Sequence, residues 1–271
     1  MKKITFVLVI LISTITIFHA CKSEKKGGAK NQEENVVIPE VKTNAVAGMQ
    51  VTDISFPSSD GLMISAKMYM KDSAAPIVVM CHQAGFNKYE YAETAPKVVD
   101  LGYTCIAIDQ RSGGDMNTYK NETYERAKEK KLPFEYIDAE QDIITAVNYA
   151  YAINNQPVIL WGSSYAAGLA LKTGATNERV RAIIAFSPGE YFKEKNYIGK
   201  SLSGFAKPVF LTSTEKESGG VAKLAEPIAE EYKTFYEPDG KGTHGSKALW
   251  SNDSAHEGYW NAVKEFLLKI K

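Results

Sequence analysis

The sequence predicts a single α/β domain, built on a mostly parallel sheet of about eight strands with helices on both faces. Three observations predict it. Strand-like and helix-like segments alternate from residue 50 to residue 271, the pattern of βα repeats. Five strand-like runs are short and almost wholly apolar: PIVVMC, YTCIAI, PVILW, RAIIAF and PVFLT. Such runs suit strands covered on both faces of a parallel sheet. One of them, PVILW, runs directly into a small-residue hinge and then a helical segment.

The elements follow in order. VTDISFP and LMISAKMYMK alternate apolar and polar residues and are separated by Ser58-Ser59-Asp60-Gly61, which signals a hairpin. The five buried strands come next, and YKTFYE supplies a last one. Helices are expected over Lys88 to Leu101, Phe134 to Ile153, Ser164 to Gly174, Gly220 to Glu230 and Asp253 to Ile270. In the second, Ala139, Ile143, Ala146, Val147 and Ala150 share one face at helical spacing. Residues 111 to 133 and 188 to 206 carry no clear pattern. Each follows a strand, so each should overhang the carboxyl edge, where open α/β sheets bind ligands.

Residues 1–20 read as a secretory signal. Lys2 and Lys3 precede an apolar run from Ile4 to Phe18, broken only by Ser13, Thr14 and Thr16. The run ends at Phe18-His19-Ala20-Cys21, which resembles the bacterial lipoprotein box. That resemblance implies a lipidated Cys21, a membrane anchor and a periplasmic or cell-surface location. Residues 21–47 then read as a tether, because the segment after Cys21 is polar and has too few large apolar groups to offset its ordering entropy. The folded domain is expected over residues 48–271.

Composition narrows the function. The chain is 44% hydrophobic and 24% charged, which fits a globular enzyme and not a coiled coil or a disordered protein. The formal net charge is +0, so nothing suggests a nucleic-acid partner. Cys81 and Cys105 lie near the ends of two buried strands and are read as free thiols, since neighbouring strands rarely give disulfide geometry. No paired C-x-x-C motif is present and there are only four histidines, so no metal site is expected.

The chemistry centres on Gly162-Ser163-Ser164-Tyr165-Ala166. A strand that turns sharply into a helix brings two backbones together, and only small residues fit two places either side of the turn. Those places hold Gly162 and Ala166 if Ser164 is central, but Trp161 and Tyr165 if Ser163 is. Ser164 is therefore the candidate nucleophile. A serine hydroxyl needs a base, and the base needs an orienting acid. The strand at Pro208 to Thr212 leads into Ser213-Thr214-Glu215-Lys216-Glu217, which offers Glu217 as the acid with Glu215 as its rival. Gly242-Thr243-His244-Gly245 offers His244 as the base, whereas His256 reads as a helix-surface residue. An oxyanion needs donors, and the backbone amides of Gln83 and Tyr165 are the expected pair. His82 reads as a brace for its turn, and Asp109 to Gly114 as a charged turn that fixes the loop beyond it.

The ordered set HQAG, DQRSGG, GSSYAAG, TSTEKE and THG resembles the α/β-hydrolase superfamily, and is most similar to its dienelactone-hydrolase-like and esterase-like members. The resemblance covers about residues 50 to 271. It implies the α/β-hydrolase fold, no cofactor, and two-step acyl-enzyme hydrolysis. A membrane-tethered serine esterase acting on a small or medium ester is the leading expectation. A peptidase or amidase on the same fold, and an inactive binding lipoprotein on a hydrolase scaffold, are the alternatives.

Overall fold

The computed structural model describes residues 47–271. Eight strands form one sheet in the order β1-β2-β4-β3-β5-β6-β7-β8. β1 (Gln50–Pro57) and β2 (Met63–Met70) make the expected hairpin, and β2 also pairs antiparallel with β4 (Thr104–Ile108). β3 (Ile77–Cys81), β5 (Val158–Ser163), β6 (Val180–Phe186), β7 (Val209–Thr212) and β8 (Lys233–Tyr236) complete a parallel run with β4. Strand order reverses between β3 and β5, the kind of switch point where such sheets bind ligands.

Strand periodicity divides the core in two. Ile77, Val79, Ile106, Leu160, Ile183 and Leu211 face α3 (Ala139–Asn154) and α4 (Tyr165–Thr176). Their neighbours Val78, Met80, Cys105, Trp161, Ile184 and Phe210 face α1 (Thr94–Asp100) and α6 (His256–Lys269). Both sides of β3 to β7 are covered, which is why those strands read as continuous apolar runs. Cys81 and Cys105 are buried free thiols, as expected. Among the described residues, no helix is long and apolar enough to cross a membrane.

Three helices differ from the expectation. The segment 88–101 splits into a 3-10 turn, Lys88–Tyr91, and α1, whose first turn holds Pro96 where a missing N–H costs nothing. Residues 111–133 contain α2 (Glu122–Glu129), a polar helix whose N-terminal Asn121 side chain accepts from the Tyr124 amide at 2.8 Å. Its few buried positions, Thr123 and Ala127, left no apolar stripe to read. The helix expected at Gly220 to Glu230 instead starts at the strand end, as α5 (Glu215–Leu224). Thr214 and Glu217 form a reciprocal capping box there, which carries the helix across Gly219 and Gly220 despite their poor propensity. The signal, Cys21 and most of the tether lie outside the described residues.

Candidate active site

The hinge after β5 is a strained elbow. Ser164 has φ +58° and ψ −122°, a conformation L-residues rarely adopt. Its amide donates to Phe186 O at 2.8 Å, which ties the elbow to β6. The small flanks are a steric necessity: a Cβ on Gly162 would lie 2.4 Å from Ala166 O and 2.5 Å from Ala167 Cα.

Ser164 Oγ is 2.8 Å from His244 Nε2, and His244 Nδ1 is 2.5 Å from Glu217 Oε1. The structure brings these three sequence-predicted side chains into one line. Glu215 is solvent-exposed at the first position of α5 and His256 begins α6 with Nδ1 on Asp253 O, so neither rival joins them. Glu217 lies in the first helical turn and not in a loop. The capping box does the aiming. Glu217 Oε2 accepts from Thr214 N at 3.2 Å and from Ser187 Oγ at 2.8 Å, leaving Oε1 for the imidazole. Burial works against the Glu217 charge, yet the hydrogen bond and charge of His244, helped by Ser187 and Thr214, hold its pKa down at about 2.

The His244 loop is fastened at three amides. Thr243 N donates to Tyr259 Oη, Gly245 N to Ser187 Oγ at 3.1 Å, and Ser246 N to Ser163 Oγ at 2.8 Å. A Cβ on Gly245 would come within 2.7 Å of Ser163 Oγ, and its φ is +75°, so only glycine permits this approach. Ser187 and Ser163 thus connect the imidazole loop to the ends of β6 and β5.

The Gln83 amide needs correction as an oxyanion donor. It already donates to the Glu90 carboxylate, with Gln83 N to Glu90 Oε2 at 2.8 Å, and Gln83 Nε2 to Oε1 at 3.1 Å. Glu90 is wholly buried and also accepts from Ser163 Oγ at 2.8 Å. Burial pushes its pKa up to about 7 against the pull of these donors and of His244. The next residue, Ala84, is partly exposed at the same strand end and its amide has no hydrogen-bond partner among the described residues. Tyr165, the other expected donor, is the first residue of α4, where amides have no intrahelical acceptor.

His82 is the brace the sequence suggested. It is fully buried, with Nδ1 on Gln83 O at 2.8 Å and Nε2 accepting from Gln110 N at 3.0 Å, which makes it a neutral Nδ1–H tautomer. Burial lowers its pKa to about 4. Asp109 pairs with Lys88 at 2.8 Å, and buried Arg111 binds Asp142 and Asp60, so the charged turn does fix its loop.

Glu90, Ser187 and Tyr191 were not singled out from sequence. Ser187 had a signal, since it follows β6 directly, in line with the ends of β5 and β7. Glu90 had none, because a glutamate in a helix-like stretch reads as solvated. Tyr191 Oη donates to Ser187 O at 3.0 Å. Burial raises its pKa, Glu217 adds to the rise, and a hydrogen-bonding contact with Ser164 opposes it, so the phenol stands beside the elbow.

An elbow serine, an imidazole and a carboxylate in chain order, at the carboxyl edge of a mixed eight-stranded sheet, define the hydrolase class of α/β proteins. The chain belongs to the α/β-hydrolase fold family, whose model matches residues 76–219. It is 28% identical over 145 residues to the quorum-quenching protein AidA of Acinetobacter baumannii, a match covering 50% of this chain and 43% of that one. The chain therefore spans less than half the length of that curated relative. An esterase of Pyrococcus furiosus, Pf2001, shares the fold with a TM-score of 0.61 at 14% identity, over 82% of this chain and 90% of the other. A dienelactone hydrolase from Anabaena variabilis does so with a TM-score of 0.62 at 16% identity, over 82% and 98%.

Proposed function

We propose that the protein is a serine hydrolase that cleaves carboxylic esters through an acyl-enzyme. The observation that carries this reading is the continuous hydrogen-bonded line from Ser164 through His244 to Glu217. In the first step Ser164 Oγ attacks the ester carbonyl carbon while His244 Nε2 takes the hydroxyl proton. Glu217 fixes Nδ1–H and offsets the imidazolium charge. The carbonyl oxygen gains the negative charge, and the amides of Tyr165 and Ala84 are the donors assigned to it. The alkoxide departs with the proton from His244. A water molecule then attacks the acyl-enzyme, His244 again takes the proton, and Ser164 is released with the carboxylic acid.

The test is labelling of the purified protein with a fluorophosphonate and mapping of the modified peptide. The expected adduct is on Ser164, accompanied by turnover of p-nitrophenyl esters. An adduct on Ser163, or turnover that survives Ser164→Ala, would sink the assignment.

The lipid anchor at Cys21 is a separate part of the reading and rests on the sequence alone. Cys21→Ser should move the protein from the detergent phase to the aqueous phase. Equal partitioning of the two forms would count against lipidation.

A further inference from the structure

The described surface carries ten exposed large hydrophobic side chains, and four of them, Phe134, Tyr136, Ile137 and Tyr191, line one cleft. Phe192 completes the wall. The cleft holds about 470 Å³, within the roughly 300 to 1,000 Å³ of small-molecule sites. Its walls come from the segment before α3 and from the overhang after β6. Such a concentration of apolar surface needs an occupant.

Two walls lead straight to the elbow. Tyr136 stacks on Tyr165, with ring centroids 4.5 Å apart and planes at 15°, and Tyr165 follows Ser164 in the chain. Tyr191 also reaches the elbow, with its hydroxyl on Ser187 O at 3.0 Å. The cleft therefore borders the elbow through Tyr136 and Tyr191, and Ser164 itself is not among its lining residues. The rim charges are paired: Lys193 Nζ reaches both Glu135 carboxylate oxygens, at 2.9 and 2.7 Å, and so joins the two walls, while Glu194 pairs with Lys200. No lysine or arginine of the lining other than Lys193 is available to recognise an anion. A second depression shares Tyr191 and is lined by charges of both signs, Glu190 and Glu217 with Lys216 and Lys223.

The geometry points to this cleft as the seat of one limb of the substrate, an uncharged alkyl or aryl chain of medium length, so that the preferred substrates are neutral apolar esters. This rests on the serine-hydrolase reading. The shared chemistry is an apolar chain attached to the scissile ester, whether on its acyl or its alcohol side.

Two substrate series read it out on the full chain: p-nitrophenyl esters from acetate to octanoate, and acetates of alcohols from ethanol to octanol. Burial of methylene groups should raise kcat/KM at least about tenfold along one series. The series that responds tells which limb the cleft holds. Ile137 is 41% exposed and its side chain makes no hydrogen bond, so Ile137→Asp should fold and should cut the long-to-short ratio about tenfold, while Ile137→Leu should keep it.

Hydrolysis with a flat or falling profile in both series overturns the proposal, as does an unchanged ratio in Ile137→Asp. Preference for a carboxylate-bearing ester also overturns it. A dimer that Ile137→Asp disperses, without chain-length dependence, gives the patch to a second copy instead. Loss of all ester turnover together with loss of fluorophosphonate labelling brings down the hydrolase reading and this one with it. That signature differs from a labelled enzyme that ignores chain length.

Discussion

The backbone amide of Gln83 is held by the buried carboxylate of Glu90, at 2.8 Å. The same carboxylate accepts from Ser163 Oγ, which in turn accepts from Ser246 N. One side chain thus joins the strand end after β3, the elbow and the histidine loop, and with the carboxyl ionised every hydrogen bond in the chain has a fixed direction. A carboxylate can accept from all of these donors, but a carboxamide cannot, because its NH₂ would oppose one of them. Above the Glu90 pKa of about 7, where the carboxyl is ionised, Glu90→Gln should therefore lower kcat by roughly tenfold to a hundredfold, the worth of a buried charge-assisted hydrogen bond expressed in the transition state. Glu90→Asp should recover part of the loss if the charge matters. Steady-state kinetics on a short ester would decide it, and equal kcat values for wild type and Glu90→Gln would remove Glu90 from the positioning of the site.

Ser187 should matter through Glu217 and His244. Its hydroxyl donates to Glu217 Oε2 and accepts from Gly245 N. Its φ is +51°, a conformation whose cost serine and alanine share, so Ser187→Ala adds no backbone strain. Ser187→Ala removes only the hydroxyl. It should reduce kcat about tenfold with little change in KM, because the lost bond orients the triad and does not touch substrate. A rise in KM with kcat intact would mean that Ser187 binds substrate.

The two rival carboxylates should separate cleanly. Glu217→Gln should cost several orders of magnitude in kcat, since the imidazole loses its orienting charge. Glu215→Gln should change little, because the Glu215 side chain points to solvent outside the line. His244→Ala should likewise abolish turnover, while His256→Ala should leave most of it. If Glu215→Gln proves the more damaging of the two, the assignment of the acid fails.

The particular residues explain how far sequence carried the argument. The sheet was legible because β3 to β7 are covered on both faces and their apolar runs have no other use. Ser164 was legible because Gly162 and Ala166 obey a steric rule. The choice of Glu217 over Glu215 was open, although Thr214-Glu215-Lys216-Glu217 carries the capping-box spacing that aims Glu217 and also starts α5 five residues early. The Gln83 amide was misassigned because its competitor is Glu90, whose burial depends on packing against Trp250 and Ser163 from far along the chain. No local pattern marks a glutamate as buried, and the same limit hid the cleft, whose two walls meet only in the folded chain.

Glu90 and Glu217 should write opposite signs into the pH dependence of stability. Glu217 is held at about 2, below its unfolded value, so its stabilisation is present above that value and lost as pH falls through about 2. Glu90 is pushed up to about 7, above its unfolded value near 4.5, by burial. Its favourable contribution is fully present below pH 4.5 and is lost as pH rises through about 7. Because Glu90 has no exposure, that window is worth on the order of 3 kcal/mol. The wild-type Tm should therefore fall between pH 4.5 and 7.5 relative to Glu90→Gln, whose carboxamide does not titrate. Thermal unfolding of both forms across that range is the measurement. Parallel profiles would show that the three donors around Glu90 hold it ionised throughout, and that burial does not win at this site.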